Sequence, residues 1–278
     1  LGVADELPDE FIEKVRAAVK RVSPEKFLLG EVWEDATTKF GFNKRRTYLL
    51  GKGLDSVMNY PFKNAVLDFV KGKPAEQAMT EILTICEHYP APAMDTALNF
   101  LSTHDTERAL TVIADEPANG RGRAWQSGRC VTGDAYEEGL LRLRMAYAII
   151  YTLPGVPCLY YGDEIAMQGY RDPFNRAFFR WDAHEQRLRP VLAQLAQLRH
   201  TCEAFRTGQL RVLRAEDGIL HYQRVGKVET AEIIVNRTEH IIVETLASGK
   251  STEVNPMGFT IVVEEVGHNP DHSYYDYV

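Results

Sequence analysis

Short apolar segments alternate with amphipathic segments of helical spacing along most of the chain. The strand-like segments are 27–33, 56–60, 96–102 and 156–161. The helix-like segments are 8–22, 62–70, 74–88, 138–152 and 184–204. Strands that are apolar on both faces and alternate with helices are typical of a parallel sheet covered by helices. The pattern therefore predicts an α/β fold.

The pattern changes after Phe205, where helical spacing gives way to short β runs. RVLRAEDGILHYQRV, AEIIVNRT, HIIVETLA and GFTIVVEEV are separated by Gly, Asn and charged turn residues. We therefore predict an α/β domain over residues 1–206, followed by an antiparallel, all-β sandwich domain over residues 207–278.

Charge and cysteine usage narrow the class of partner and the compartment. The net charge is −7 and no Lys/Arg cluster outweighs it, which argues against nucleic-acid binding and for a small or neutral partner. The four cysteines, Cys86, Cys130, Cys158 and Cys202, form no CxxC pair. We interpret them as reduced, mostly buried thiols of a cytoplasmic protein.

One uncharged segment, MAYAIIYTLPGVPCLYYG at 145–162, approaches the minimum length of a membrane span. Pro154, Gly155 and Pro157 interrupt it in the middle. We therefore predict the end of a helix, a turn and a strand, and no membrane partner.

Acidic and polar side chains recur where an apolar strand gives way to a loop. These residues are Glu31, Asn59, His104, Asp105, Asp163 and Glu164. In parallel α/β folds, ligands bind outside the carboxyl ends of the strands. The sequence therefore predicts a functional site at this edge of the sheet.

Glu31 and Trp33 have two possible roles. Glu31 could be a general acid beside an aromatic platform for a flat-faced ligand such as a sugar ring, because an apolar wall raises the pKa of a carboxyl group. Alternatively, the carboxylate accepts hydrogen bonds from the next loop.

His104 and Asp105 also have two possible roles. The imidazole could donate to a substrate hydroxyl while the carboxylate faces positive charge developing in a transition state. Alternatively, Thr103 or Asp105 caps a helix whose first turn contains Glu107.

The segment YYGDEIAMQGYRDPFNRAFFRW, 160–181, is dense in aromatic and charged residues. This composition favours a ligand-binding loop over the alternative, a loop held by ion pairs and turns. Two carboxylates on separate strand ends, Glu31 and Asp105, match the needs of glycoside hydrolysis. There, an acid protonates the leaving oxygen while carboxylates stabilise an oxocarbenium-like centre.

Six motifs occur in order along the chain. They are VADELP (3–8), GEVWEDA (30–36), MNYPF (58–62), FLSTHDTER (100–108), PGVPCLYYGDE (154–164) and RDPFNR (171–176). This set resembles the α-amylase family, glycoside hydrolase family 13, and within it the neopullulanase, cyclomaltodextrinase and maltogenic amylase branch. The resemblance covers essentially the whole chain and implies the C-terminal half of a TIM-type (β/α)8 barrel, strands five to eight, followed by a β-sandwich domain.

The resemblance also implies roles for individual residues. Glu31 is similar to the family's general acid/base, and Asp105 to its transition-state stabiliser. The implied contacts to an α-glucan or maltooligosaccharide substrate are His104, Trp33, Asp172, Arg176 and, as looser matches, Asn59 and Tyr160. No metal ion and no cofactor is expected.

The chain departs from the family at its nucleophile. The family motif has an aspartate directly before Val-Ala-Asp-Glu, and here that position is Gly2. Glycine has no side chain that can attack a sugar. We therefore expect this chain to be a fragment of an α-glucan-active enzyme that is inactive alone.

Two further expectations follow from this departure. A half barrel exposes sheet edges, so two copies of the chain are expected to associate, unless the native protein includes the missing half. The alternative to an enzyme is a non-catalytic α-amylase-like protein that binds carbohydrate or acts as a scaffold.

Overall fold

The computed structural model describes residues 1–266 of the chain. The α-helices are α1 (Asp9–Val22), α2 (Tyr60–Lys71), α3 (Ala75–His88), α4 (Ala91–Asp95), α5 (Ala109–Ala114), α6 (Arg123–Ser127), α7 (Gly133–Thr152), α8 (Leu188–Thr201) and α9 (Ala204–Thr207). The strands are β1 (Leu29–Gly30), β2 (Phe40–Gly41), β3 (Lys44–Arg45), β4 (Ser56–Val57), β5 (Leu98–Asn99), β6 (Val156–Pro157), β7 (Gln209–Glu216), β8 (Ile219–Val225), β9 (Glu229–Asn236), β10 (Ile242–Thr245), β11 (Ser251–Val254) and β12 (Gly258–Glu265).

The predicted parallel strand pairing is confirmed. β1 pairs in parallel with β4, and β5 with β6. A parallel bridge between Met58 and Leu98 joins the two pairs, so these strands lie side by side in chain order. Leu1 extends the row, because its ammonium group donates to Leu29 O (2.7 Å) and its carbonyl accepts from Glu31 N–H (3.0 Å).

The paired part of each strand is shorter than the apolar segment that predicted it. At 56–60 the cause is local: the Asn59 side chain accepts a hydrogen bond from Phe62 N–H (3.2 Å), and α2 begins at Tyr60 with Pro61 in its first turn. The chain therefore leaves the sheet at the residue that caps the next helix.

The helix predicted over 184–204 is wrong at both ends. Pro190 lacks an N–H and tolerates only the first turn of a helix, so α8 begins at Leu188. Cys202 then adopts an extended conformation, and α9 is a separate short helix.

The antiparallel strands predicted after residue 206 are confirmed. β12, β9, β8 and β7 form one antiparallel sheet in that order, and β10 and β11 form a separate hairpin. One face of the sheet, including Tyr222 and Ile233, continues the apolar core of the helices, whereas Ile234 on the other face packs with the hairpin's Leu246. The predicted domain division at 206/207 stays a prediction, and residues 267–278 lie outside the described part of the chain.

The segment 145–162 contains the end of α7, a turn and β6, as predicted. Among residues 1–266, no helix is both long enough and apolar enough to cross a membrane. The cysteines carry free thiols, but the prediction that they are mostly buried is wrong: Cys202 is buried, Cys86 and Cys158 are half-buried, and Cys130 is exposed.

Candidate active site

The predicted site residues follow the ends of successive parallel strands. Glu31 directly follows β1, Tyr60 follows β4, the loop with His104 and Asp105 follows β5, and Tyr160 follows β6. Because parallel strands deliver their carboxyl ends to one edge of a sheet, these side chains share that edge.

Glu31 is a buried carboxylate with only 7% of its surface exposed. Its Oε1 accepts hydrogen bonds from Trp33 Nε1 (2.9 Å) and from the Tyr60 hydroxyl (3.4 Å). Its Oε2 accepts from Val3 N–H (3.1 Å). The ionised carboxylate is therefore held from both sides.

The expected rise in the pKa of Glu31 is wrong. Burial, the largest single influence, does raise the pKa of this carboxyl group. However, the hydrogen bonds from Val3 N–H and Trp33 N–H, together with the charge of His104, lower the pKa below its usual value. In the free chain Glu31 is thus poised as a carboxylate and not as an acid.

Trp33 and Tyr60 form an aromatic stack at the same edge. Their ring centroids are 4.5 Å apart and the planes are inclined by 12°. Trp33 is 40% exposed, whereas Tyr60 is buried and also contacts the Phe100 ring edge-on. The stack leaves one indole surface available to a flat apolar ligand face.

Tyr60 donates to one carboxylate of the site, Glu31. Burial, the largest influence, raises the pKa of the Tyr60 hydroxyl above its usual value, and the negative charges of Glu31 and Asp105 act in the same direction. Tyr60 was not among the predicted site residues, although it is the central residue of MNYPF. The signal that could have found it is its place directly after the capping residue Asn59.

The backbone at Gly2 lies directly beside Glu31. A Cβ atom built on Gly2 would contact Glu31 Oε2 at 3.6 Å, which is an ordinary van der Waals distance. A side chain at position 2 would therefore start next to the Glu31 carboxylate.

The side chains of His104 and Asp105 contact each other on the loop after β5. His104 Nε2 lies 3.1 Å from Asp105 Oδ2, and the other carboxylate oxygen, Oδ1, lies 3.1 Å from Arg176 Nη2. The His104 side chain is 56% exposed and that of Asp105 is 32% exposed. Both groups can therefore reach a ligand.

The alternative interpretation of this loop, a helix cap, is wrong. α5 begins at Ala109, and its first N–H donates to the Ser102 hydroxyl (2.8 Å). Thr103 Oγ1 accepts from Asp105 N–H (3.1 Å), which forms a local turn instead. The Asp105 carboxylate is left free of helix capping.

The segment RDPFNR holds this loop in place. Arg176 Nε donates to His104 O (2.9 Å) and pairs with Asp172 Oδ1 (3.1 Å). Asn175 is fully buried, and its amide nitrogen donates to the carbonyls of His104 and Thr106 (both 2.8 Å). Asn175 was not among the predicted site residues, although it belongs to the motif RDPFNR.

The remaining predicted residues lie deeper in the protein. Asn59 is fully buried, and besides capping α2 it donates to Asn99 Oδ1 (2.8 Å). Tyr160 is half-buried, with its ring 4.7 Å from the Arg108 guanidinium carbon. Their predicted contacts to substrate stay predictions.

Asp163, which the strand-end pattern also placed at the rim, is buried in an internal network. It pairs with Arg108 Nη1 (3.1 Å) and accepts from the Tyr147 hydroxyl (2.6 Å). Glu164 accepts from Gly162 N–H (2.7 Å). Both acids support the loop after β6.

Comparisons with known proteins identify the family. Residues 6–196 match the family described as alpha amylase, catalytic domain. The chain is 32% identical over 244 residues to a cyclomaltodextrinase of Geobacillus thermopakistaniensis, covering 86% of this chain and 36% of the relative. It is 30% identical over 261 residues to neopullulanase 2 of Thermoactinomyces vulgaris, covering 91% and 39%.

A solved structure has a similar fold over nearly the whole chain. The ligand-free cyclic alpha-maltosyl-(1→6)-maltose hydrolase from Arthrobacter globiformis superimposes with a TM-score of 0.79 at 24% identity, covering 95% of this chain and 56% of that one.

This chain belongs to the alpha-amylase family, which confirms the resemblance inferred from its motifs. Its relatives named above are glycoside hydrolases. The chain spans less than two fifths of the length of those two curated relatives.

Proposed function

We propose that this chain carries part of the active site of a retaining glycosidase that hydrolyses α-1,4-linked glucans such as maltooligosaccharides and cyclodextrins, with transglycosylation as a second outcome. Glu31 is the general acid/base and Asp105 stabilises the transition state. His104, Trp33, Asp172 and Arg176 contact the substrate, with Asn59 and Tyr160 behind them.

The observation that carries this proposal is the pairing of position 2 with Glu31. A retaining glycosidase holds its nucleophile ~5 Å from its acid, on the opposite side of the scissile bond. A Cβ at position 2 would lie 3.6 Å from Glu31 Oε2, so a short carboxylate there would start beside Glu31. The short distance between position 2 and Glu31 supports the assignment of these two positions as nucleophile and acid.

Gly2 makes this chain inactive by itself. In the first step of the reaction, a carboxylate attacks the anomeric carbon while Glu31 gives its proton to the leaving oxygen. Gly2 cannot attack. The hydrogen bonds that lower the pKa of Glu31 also favour its ionised form over the protonated form that donates to the leaving oxygen. A carboxylate at position 2 would raise this pKa by charge repulsion.

Saccharide binding tests the site independently of turnover. We expect maltooligosaccharides to perturb the NMR signals of Trp33, Tyr60 and His104, and Trp33→Ala to weaken binding about tenfold because the stacking surface is lost. Trp125→Ala is the matched control, since Trp125 packs against Tyr170 on another part of the chain. Equal affinity in the two tryptophan variants, or no binding by the wild-type chain, would count against the site.

The second candidate function is carbohydrate binding or scaffolding without catalysis, which Gly2 favours. The two candidates differ in what a nucleophile at position 2 would do. A binding protein gains nothing from it, whereas a disabled enzyme regains turnover that depends on Glu31.

The proposal also includes the architecture, location and association of the chain. The row of parallel strands β1, β4, β5 and β6 is taken as strands five to eight of an eight-stranded barrel, with the domain boundary at 206/207 and a cytoplasmic location. The open edges of such a half barrel would be covered by a second copy of the chain. Light scattering that shows a monomer at high micromolar concentration would contradict this association.

A further inference from the structure

A groove between α7 and the β11–β12 region contains an arginine that has no counterion within residues 1–266. The groove has a volume of about 350 Å³ and is lined by residues of α7 and of the β11–β12 region, among them Leu141, Arg144, Thr252, Glu253 and Thr260. None of these residues belongs to the candidate active site.

Arg144 is a half-buried cation without a hydrogen-bond acceptor. Its Nε–H is shielded from solvent and has no partner within residues 1–266. In the same described range it forms no ion pair, and the charge that acts on it, that of Arg187, is repulsive. Burial and this like charge lower the pKa of Arg144 below its ordinary value.

An unpaired guanidinium in this position is energetically costly. The guanidinium stays charged at any physiological pH, and a shielded charged donor without an acceptor loses its hydration without compensation. An anion in the groove would restore what is lost, because the guanidinium offers a planar fork of N–H donors that matches two oxygens of one oxyanion.

The groove supplies additional polar partners for such an anion. Thr252, Asn255 and Thr260, which carry hydroxyl and amide groups, are among its lining residues. Among the described lining residues, Glu253 alone carries a carboxylate, and it lies outside ion-pair distance of Arg144. The negative charge of Glu253 repels an anionic ligand. Removing this charge should therefore change anion affinity in the opposite direction to removing Arg144.

We propose that the groove between α7 and the β11–β12 region is a binding site for a small oxyanion, held by the Arg144 guanidinium. The ligand is a phosphate or carboxylate group, either free or carried by a larger molecule. The site is independent of the proposed glycosidase function, because it shares no residue with it.

Titration with inorganic phosphate, monitored by the Arg144 Nε–H NMR signal and by calorimetry at constant ionic strength, tests the site. We expect saturable binding of phosphate, and Arg144→Gln to weaken it at least about tenfold, since hydrogen bonds to a charged group are lost. Arg142→Gln removes the same charge from the same helix, but Arg142 is already paired with Glu138, so it should leave binding unchanged. Acetate in place of phosphate distinguishes a tetrahedral from a planar oxyanion.

Glu253→Gln provides the opposite change. Removing this carboxylate should strengthen phosphate binding, because a like charge leaves the groove. Binding that persists in Arg144→Gln, that is lost equally in Arg142→Gln, or that weakens in Glu253→Gln would overturn the proposal. Absence of saturable binding of both phosphate and acetate to the wild-type chain would overturn it as well. Arg144→Gln removes no hydrogen bond and no ion pair within residues 1–266, so circular dichroism should show an unchanged fold.

Discussion

Replacing Gly2 with aspartate should give the chain turnover of maltooligosaccharides at least about 100-fold above the wild-type background, because loss of a catalytic nucleophile costs orders of magnitude in rate. The substitution fits locally. The added Cβ makes only a van der Waals contact of 3.6 Å with Glu31 Oε2, and Gly2 is not in the left-handed region that favours glycine. Release of reducing ends from maltooligosaccharides and cyclodextrins measures the effect.

Two further variants assign the new turnover to the proposed chemistry. Gly2→Asn has nearly the same shape but cannot act as a carboxylate nucleophile, so it should stay at background. Gly2→Asp combined with Glu31→Gln should also return to background, because the acid/base is lost. Turnover by Gly2→Asn, or turnover that survives Glu31→Gln, would remove position 2 and Glu31 from the mechanism.

Loss of the Arg108 guanidinium should lower the free energy of unfolding by about 3–5 kcal/mol, the usual cost of leaving a buried charge unpaired. Arg108 is completely buried, pairs with Asp163 Oδ1 (3.1 Å) and donates to Tyr161 O (2.6 Å). In Arg108→Met the Asp163 carboxylate would keep the Tyr147 hydroxyl as a donor but lose its cation. Urea denaturation followed by circular dichroism measures the change.

A matched control separates burial from charge. Arg171→Met removes an arginine paired with Glu107 (3.0 Å), but the Arg171 side chain is 74% exposed. Its cost should therefore stay within about 1 kcal/mol. Equal destabilisation by Arg108→Met and Arg171→Met would show that the buried ion pair contributes no more to stability than the exposed one.

The pH dependence of Arg108→Met has a defined sign. Burial raises the pKa of Asp163 above its usual value even with Arg108 present, and removal of the cation raises it further. A carboxyl group with a raised folded-state pKa favours folding below its unfolded-state pKa, and this contribution is lost as the pH rises through the folded-state pKa. The loss in free energy of unfolding caused by Arg108→Met should therefore be smaller near pH 4, where Asp163 is protonated in the variant, than at pH 7. At neutral pH, adding Asp163→Asn to Arg108→Met should recover part of that loss.

Alternation of apolar and amphipathic segments was sufficient to predict the parallel strands and the antiparallel sheet. Element ends were harder to predict where one side chain decides them. The segment 56–60 was predicted to be a strand, but its Asn59 caps α2 and ends the strand earlier. Pro190 lies inside a segment of helical spacing. Because proline is tolerated only in the first turn of a helix, α8 begins at Leu188, close before it.

The sequence was sufficient to predict the charged residues of the candidate site, but not the hydrogen bonds and burial around them. Glu31, His104 and Asp105 follow strand ends, and that position is visible in the sequence. The direction in which the pKa of Glu31 is shifted cannot be predicted from the sequence. It depends on hydrogen bonds from Val3 N–H and Trp33 Nε1, which only the folded backbone brings to this carboxylate. Asn175 and Arg108 act from buried positions, where sequence patterns carry no sign of their partners.

The most direct test of the central claim is a carbon-13 NMR titration of the Glu31 carboxyl group in the wild-type chain and in two variants. If position 2 and Glu31 are the nucleophile and acid of one glycosidase site, Gly2→Asp places a second carboxylate beside Glu31, and the pKa of Glu31 rises from its lowered value. Gly2→Asn should leave it low. A pKa of Glu31 that is unchanged in Gly2→Asp, or that rises equally in Gly2→Asn, would contradict the account.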